Sequence, residues 1–253
     1  MSNYVQLGDV RTWYDEHGAG EPVLLSHGGF VDSRMFDAAL PLLADFQVYR
    51  ADRRGHGRTA DVAGPFSYDA MAADTIAFLD TVVGRPAHLV GYSDGGIVAL
   101  LVALRRPDLV GKLVAISANF HHEGLVPGVL DGFADEEPMR RLAGRYGEVS
   151  PDGADHFPVV ADKVLAMATG QPTLTAADLG DIGARTLVLA ADDDAVTLEH
   201  TIALYRAIPN SELSIVPGTS HLLVVEKPEE VYRLAGDFLR SGPPHTWQPL
   251  RRA

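Results

Sequence analysis

Short runs of Val, Leu and Ile recur along the chain at Val23–Leu25, Val48–Ala51, His88–Tyr92, Leu113–Ser117, Thr186–Ala190 and Leu213–Val216. They are too brief for helices, and several are apolar at consecutive positions, as strands buried on both faces of a parallel sheet are. Between them lie segments with helical spacing, Tyr68–Val83, Gly95–Arg106, Leu198–Ala207 and Pro228–Leu239. The last opens on Pro228-Glu229-Glu230, where proline suits a first turn and the carboxylates complement the helix dipole. At the start, Val5–Leu7 and Val10–Tyr14 flank Gly8-Asp9, a turn dipeptide, and predict a hairpin. Strand alternating with helix predicts an α/β fold, a mostly parallel, doubly wound sheet.

One stretch breaks this rhythm. From Phe120 to Ile182 no convincing buried strand occurs, while turn formers (Pro127-Gly128, Ser150-Pro151-Asp152-Gly153) separate helical pieces at Glu137–Tyr146 and Val159–Ala168. The expected organisation is a core of residues 1–119 and 183–240, a helical cap insertion at 120–182, and a C-terminal extension at 241–253. A length of 253 residues suits one large α/β domain carrying such an insertion.

Charge and composition then narrow the chemistry. The net charge is −13, with cations scattered except for pairs such as Arg53-Arg54 and Arg140-Arg141, which argues against nucleic acid and against anionic membrane surfaces as partners. The longest apolar run, Ile97–Leu104, has eight residues, so no membrane span is expected. The absence of cysteine removes disulfides, thiolate metal sites and a cysteine nucleophile. No secretory signal is visible, and the expected location is cytoplasmic. No metal site is expected, because Asp192-Asp193-Asp194 lacks the spaced oxygen ligands of a calcium loop.

The chemistry centres on Gly91-Tyr92-Ser93-Asp94-Gly95, a Gly-x-Ser-x-Gly pattern. It follows the apolar run Ala87–Val90 and opens an apolar helix, the strand, sharp turn and helix setting that exposes a nucleophilic serine. The bland alternative is a βα turn whose serine caps the helix. A serine needs a base, oriented in turn by an acid, in the chain order Ser, acid, His. His200 falls within a helical segment and His245 in the tail, whereas His221 follows a strand through a loop, Pro217–Ser220, that can deliver an imidazole to the strand ends. The acid should close the strand Thr186–Ala190, where Asp192, Asp193 and Asp194 stand; spacing favours Asp194, with Asp192 the alternative. His27-Gly28-Gly29-Phe30 after Val23–Leu25 suits an oxyanion loop, its donor the N–H of Gly29 or alternatively of Phe30, paired with the N–H of Asp94.

With these pieces in order, His27-Gly28-Gly29, Asp52-Arg53-Arg54-Gly55-His56-Gly57-Arg58-Thr59, Gly91–Gly96, Asp194 and Pro217–His221, the chain resembles the α/β-hydrolase fold family from Tyr4 to Arg240. The resemblance implies an eight-stranded sheet, a cap after the sixth strand and a Ser93-Asp194-His221 triad. It departs at Ala191, where the family often has glycine. A serine nucleophile argues against the epoxide hydrolase and haloalkane dehalogenase branches, which use aspartate. The elbow and Ser117-Ala118-Asn119 are similar to the valacyclovir hydrolase (biphenyl hydrolase-like) group, which implies that Asp94 recognises a substrate α-ammonium. From Asn119 to Arg185 there are 11 acidic and 5 basic residues, a net −6, a field that favours cationic substrates or a merely solvated surface.

The expected function is a serine esterase that needs no cofactor and acts on a small-molecule ester, α-amino acid esters included, through an acyl-enzyme. Two alternatives stand beside it: an enol-lactonase or carbon–carbon bond hydrolase using the same triad, and a non-catalytic hydrolase-like ligand receptor.

Overall fold

The computed structural model describes residues 2–134 and 136–248, so the last five residues of the expected extension at 241–253 lie outside the described residues. Eight strands form one sheet: β1 (Ser2–Leu7), β2 (Val10–His17), β3 (Pro22–Ser26), β4 (Gln47–Ala51), β5 (Ala87–Tyr92), β6 (Val110–Ile116), β7 (Arg185–Asp193) and β8 (Ser211–Ser220), in the spatial order β1-β2-β4-β3-β5-β6-β7-β8. β1 pairs antiparallel with β2, and β2 with β4. All the remaining neighbours run parallel. This is the α/β-hydrolase architecture that the motifs imply.

Strand side chains alternate between two apolar layers, as a period of two requires. On one face Leu24, Leu89 and Val188 meet helices α1 (Tyr68–Phe78) and α2 (Asp94–Arg105). On the other, Val23, Leu25, Val90 and Leu189 meet the 3-10 segment Ser33–Leu43 and the C-terminal helix (Pro228–Arg240). Helix α2 is buried on every residue from Asp94 to Ala103, which explains its nearly unbroken apolar sequence.

Between β6 and β7 the chain makes helices α3 (Glu136–Gly147), α4 (Phe157–Gly170) and α5 (Ala176–Leu179). Phe157, Val160, Val164 and Met167 of α4 join the same cluster as Tyr68, Met71 and Ile97, so this insertion is continuous with the core rather than set apart from it. Arg34 ties its edge down, donating to Asp32, to Glu148 at 2.6 Å and to the Arg145 carbonyl at 2.6 Å. The chain ends with α6 (Leu198–Ala207), α7 (Leu223–Glu226) and α8, the helix Pro228–Arg240 already named.

Two expectations need correction, and one element is not among those expected. The helix expected over Tyr68–Val83 ends at Phe78 and finishes in a π turn, Leu79–Val83, closed by Gly84 in the left-handed region. Ser33–Leu43, where no element is expected, forms a 3-10 segment with Pro41 inside it and Asp32 capping its start, its apolar Phe36, Ala39 and Leu43 buried at helix-like spacing. Pro217–Ser220 is strand rather than loop, because β7 and β8 stay paired, across a register shift, as far as Asp193 and Ser220.

Candidate active site

The C-terminal ends of the parallel strands converge on one place, the usual position of a site in a doubly wound sheet. β5 delivers Ser93, which stands at φ 52° and ψ −120°, a conformation costing a non-glycine residue about 1–3 kcal/mol. The turn is held by neighbours that leave no room for side chains. A Cβ on Gly95 would fall against the carbonyls of Ser26 and His27, and one on Gly91 against the backbone of Gly95 and Gly96. These contacts, rather than turn preference alone, fix glycine at both flanks of the serine.

His221, just past β8, places its Nε2 3.1 Å from the Ser93 Oγ and its Nδ1 2.6 Å from Asp194 Oδ1. Tyr92 steadies this arrangement by donating its hydroxyl to the His221 carbonyl at 2.8 Å. Asp194, the first residue beyond β7, also accepts from the Ser117 hydroxyl, from the Ala191 N–H at 3.1 Å and from the Val196 N–H at 3.3 Å. Burial pushes its carboxyl up, but the bonds from His221, Ser117 and Ala191 outweigh that and hold it below the usual carboxylate range. It is therefore an anion facing the imidazole at neutral pH.

The other two aspartates are occupied differently. Asp192 is exposed and accepts the N–H groups of Gly218 (2.9 Å) and Thr219 (3.0 Å), fastening the end of β8, while Asp193 lies in the β7–β8 ladder opposite Ser220. His200 stacks on Phe120 with ring centroids 3.9 Å apart and accepts its N–H, and His245 stacks near Trp247 in the tail; neither joins Ser93.

The loop after β3 passes close over the elbow. A Cβ on Gly28 would lie 3.4 Å from the Ser93 Cβ, and one on Gly29 2.8 Å from Asp94 Oδ2. Phe30 takes a positive φ of 59° as the loop leaves the site. Asp94 itself is buried: Oδ1 accepts the Tyr68 hydroxyl at 2.8 Å, and Oδ2 has no hydrogen-bond partner. Burial raises its carboxyl above the usual range, opposed by the Arg53 charge and the Tyr68 bond.

Arg53, Tyr92 and Ser117 lie within motifs of the sequence that give them no role, and Tyr68 lies in none. Each acts through a contact between residues far apart in the chain, and the residue types are ordinary at their positions. Among the described residues no group of His, Asp or Glu is arranged to hold a metal ion, and no helix is long and apolar enough to cross a membrane.

The sequence pattern described as "Alpha/beta hydrolase family" matches residues 23–234. The chain is 27% identical to the putative carbamate hydrolase RutD of Azorhizobium caulinodans, over 89% of this chain and 94% of that protein. It is 29% identical to a non-heme haloperoxidase of Rhodococcus erythropolis, over 84% and 89% respectively. A hydrolase from Pseudomonas aeruginosa superposes with a TM-score of 0.77 at 26% identity, covering 95% of this chain and 98% of that one.

Proposed function

The chain belongs to the alpha/beta hydrolase family, and from that premise we propose that it is a serine hydrolase of small carboxylic esters working through an acyl-enzyme. The observation that carries the reading is the continuous chain of contacts from the Ser93 Oγ through both ring nitrogens of His221 to the buried Asp194 carboxylate.

In this reading the His221 Nε2 takes the Ser93 proton as Oγ attacks the ester carbonyl, and Asp194 stabilises the imidazolium through Nδ1–H. The N–H groups of Gly29, or alternatively Phe30, and of Asp94 receive the negative charge that develops on the carbonyl oxygen. The tetrahedral intermediate collapses, His221 returns the proton to the departing alcohol, and the acyl group stays on Ser93. Water then enters, gives its proton to His221 and attacks the acyl carbon; collapse of the second intermediate returns that proton to Ser93 and releases the acid.

The similarity to the valacyclovir hydrolase group extends the proposal to α-amino acid esters. Asp94 Oδ2, buried without a partner one residue from the nucleophile, is an acceptor that an α-ammonium would satisfy. Asp94→Asn tests this on an aminoacyl ester and its des-amino analogue. A loss confined to the amino ester supports recognition, whereas equal losses assign Asp94 a general structural role.

The central test is Ser93→Ala on p-nitrophenyl butyrate together with fluorophosphonate labelling. The wild type should hydrolyse the ester and label rapidly, and the variant, folded, should do neither. Full activity in the variant would sink the assignment. A panel of aminoacyl, short-acyl and lactone esters with a carbamate, read as relative kcat/KM, then ranks the substrate classes.

A further inference from the structure

We propose that Arg53 is a positioning residue for the oxyanion site: with His27 it clamps the Gly28 carbonyl and so aims and polarises the Gly29 N–H. This deepens the serine-hydrolase reading and rests on it.

Arg53 stands just past β4 with 7% of its surface exposed. Its two terminal nitrogens both donate to the neighbouring loop, while Nε is buried without a partner. Nη1 donates to the Ser26 Oγ at 3.2 Å and to the His27 carbonyl, while Nη2 donates to the Gly28 carbonyl at 3.0 Å. His27 is buried and completes the clamp. Its Nε2 accepts the Arg53 N–H at 3.0 Å, which leaves the ring hydrogen on Nδ1, 2.8 Å from the same Gly28 oxygen. Burial, and after it the Arg53 charge, hold the His27 pKa well below the usual histidine range, so the ring keeps this neutral form.

Both lone pairs of the Gly28 oxygen are thus filled, one by a cation. In a planar trans peptide the N–H points opposite to the C=O, so fixing that oxygen on the Arg53 side turns the Gly29 N–H to the other side. The loop abuts Ser93 and Asp94 through Gly28 and Gly29, as the close approaches at these glycines require. A charge-assisted bond on the carbonyl also draws electrons through the amide and strengthens its N–H as a donor. A guanidinium suits the task because its fork spans two successive carbonyls, which an ammonium on a lysine stem does not. The Arg53 charge also favours the ionised form of the buried Asp94 carboxyl beside the elbow.

The experiment compares Arg53→Met, Arg53→Lys and the charge-balanced pair Arg53→Met with Asp94→Asn against wild type. The readouts are kcat and KM on p-nitrophenyl butyrate, the Ki of a trifluoromethyl ketone with the same acyl chain, and the 15N shift of the Gly29 amide. The expected result is kcat lower by about 30-fold with KM nearly unchanged, less than the roughly 10²–10³-fold of an oxyanion donor lost outright. The ketone should weaken by the same factor, and the Gly29 15N signal should move upfield. In the wild-type protein that signal must also respond to the ketone, a measurement that needs no variant to fold. Turnover that depends on Ser93 but keeps its kcat in folded Arg53→Met, or a Gly29 signal indifferent to the ketone, overturns this inference alone. Ester hydrolysis that survives Ser93→Ala overturns the serine-hydrolase reading and this inference together.

Discussion

Acidification should destabilise this protein through His56, a buried residue outside the Ser93–His221–Asp194 chain of contacts. The ring is 2% exposed and lies between His27 and Phe66, with centroids 5.2 and 5.9 Å away. Burial, and after it the Arg53 charge, push its pKa down from 6.5 to about 4, although Nδ1 keeps a bond to the Arg54 carbonyl. As pH falls, the unfolded chain therefore binds a proton before the folded one does. The contribution of His56 is fully present above the unfolded pKa and is lost as pH falls from about 6.5 toward 4. Between about pH 7.5 and pH 5 the loss comes to about 2 kcal/mol, from RT times the logarithm of the ratio of the two binding polynomials. Other buried groups contribute in both directions, the lowered pKa of His27 and His200 adding to the loss and the raised carboxyls of Asp52 and Asp94 opposing it. The comparison is therefore made with His56→Asn, which keeps a donor toward Arg54 and removes the titration. Urea unfolding followed by tryptophan fluorescence at both pH values gives the two stability differences. The variant's should be smaller by about 2 kcal/mol, and equal losses in the two proteins would refute the reasoning.

The aspartates after β7 should separate cleanly. Asp194→Asn should lower kcat on p-nitrophenyl butyrate by about 10³–10⁴-fold by disturbing the tautomer and charge of His221, whereas Asp192→Ala should keep kcat within about threefold, because its contacts are to the backbone of β8 alone. Ser117→Ala, which removes one donor from the Asp194 carboxylate, should cost about tenfold in kcat with KM little changed. Gly95→Ala should give no soluble enzyme, since its Cβ has only backbone to displace; soluble, active protein would show that the elbow can relax.

The chain's periodicities disclosed the sheet because parallel strands are apolar on both faces, so Val23–Leu25 or Thr186–Ala190 stands out without reference to the rest of the molecule. Where polar residues carry a strand onward the pattern is silent. β7 runs through Asp192 and Asp193, and β8 through Pro217–Ser220, because cross-strand pairing compensates for poor strand formers. Ser33–Leu43 does place Phe36, Ala39 and Leu43 at helix-like spacing, packed against α8, but the internal Pro41 argues against a helix when the sequence is read alone. At the site, Ser93 and His221 are marked by local context, and spacing sufficed to favour Asp194. The roles of Arg53, Tyr68, Tyr92 and Ser117 were not legible, although three of them lie in motifs, since partners 26 or more positions away in sequence decide what each does.

The continuity of α4 with the sheet core bears on how this enzyme can be altered. Phe157, Val160, Val164 and Met167 of the β6–β7 segment share one apolar mass with Tyr68, Met71 and Ile97, and Val164 lies against Gly29 of the loop beside Ser93. A segment grafted from a relative would have to match that surface as well as the new ligand. Replacement side by side with compensating changes on α1 and α2 is the route this architecture leaves open, and selectivity and thermal resistance are bound to drift together along it.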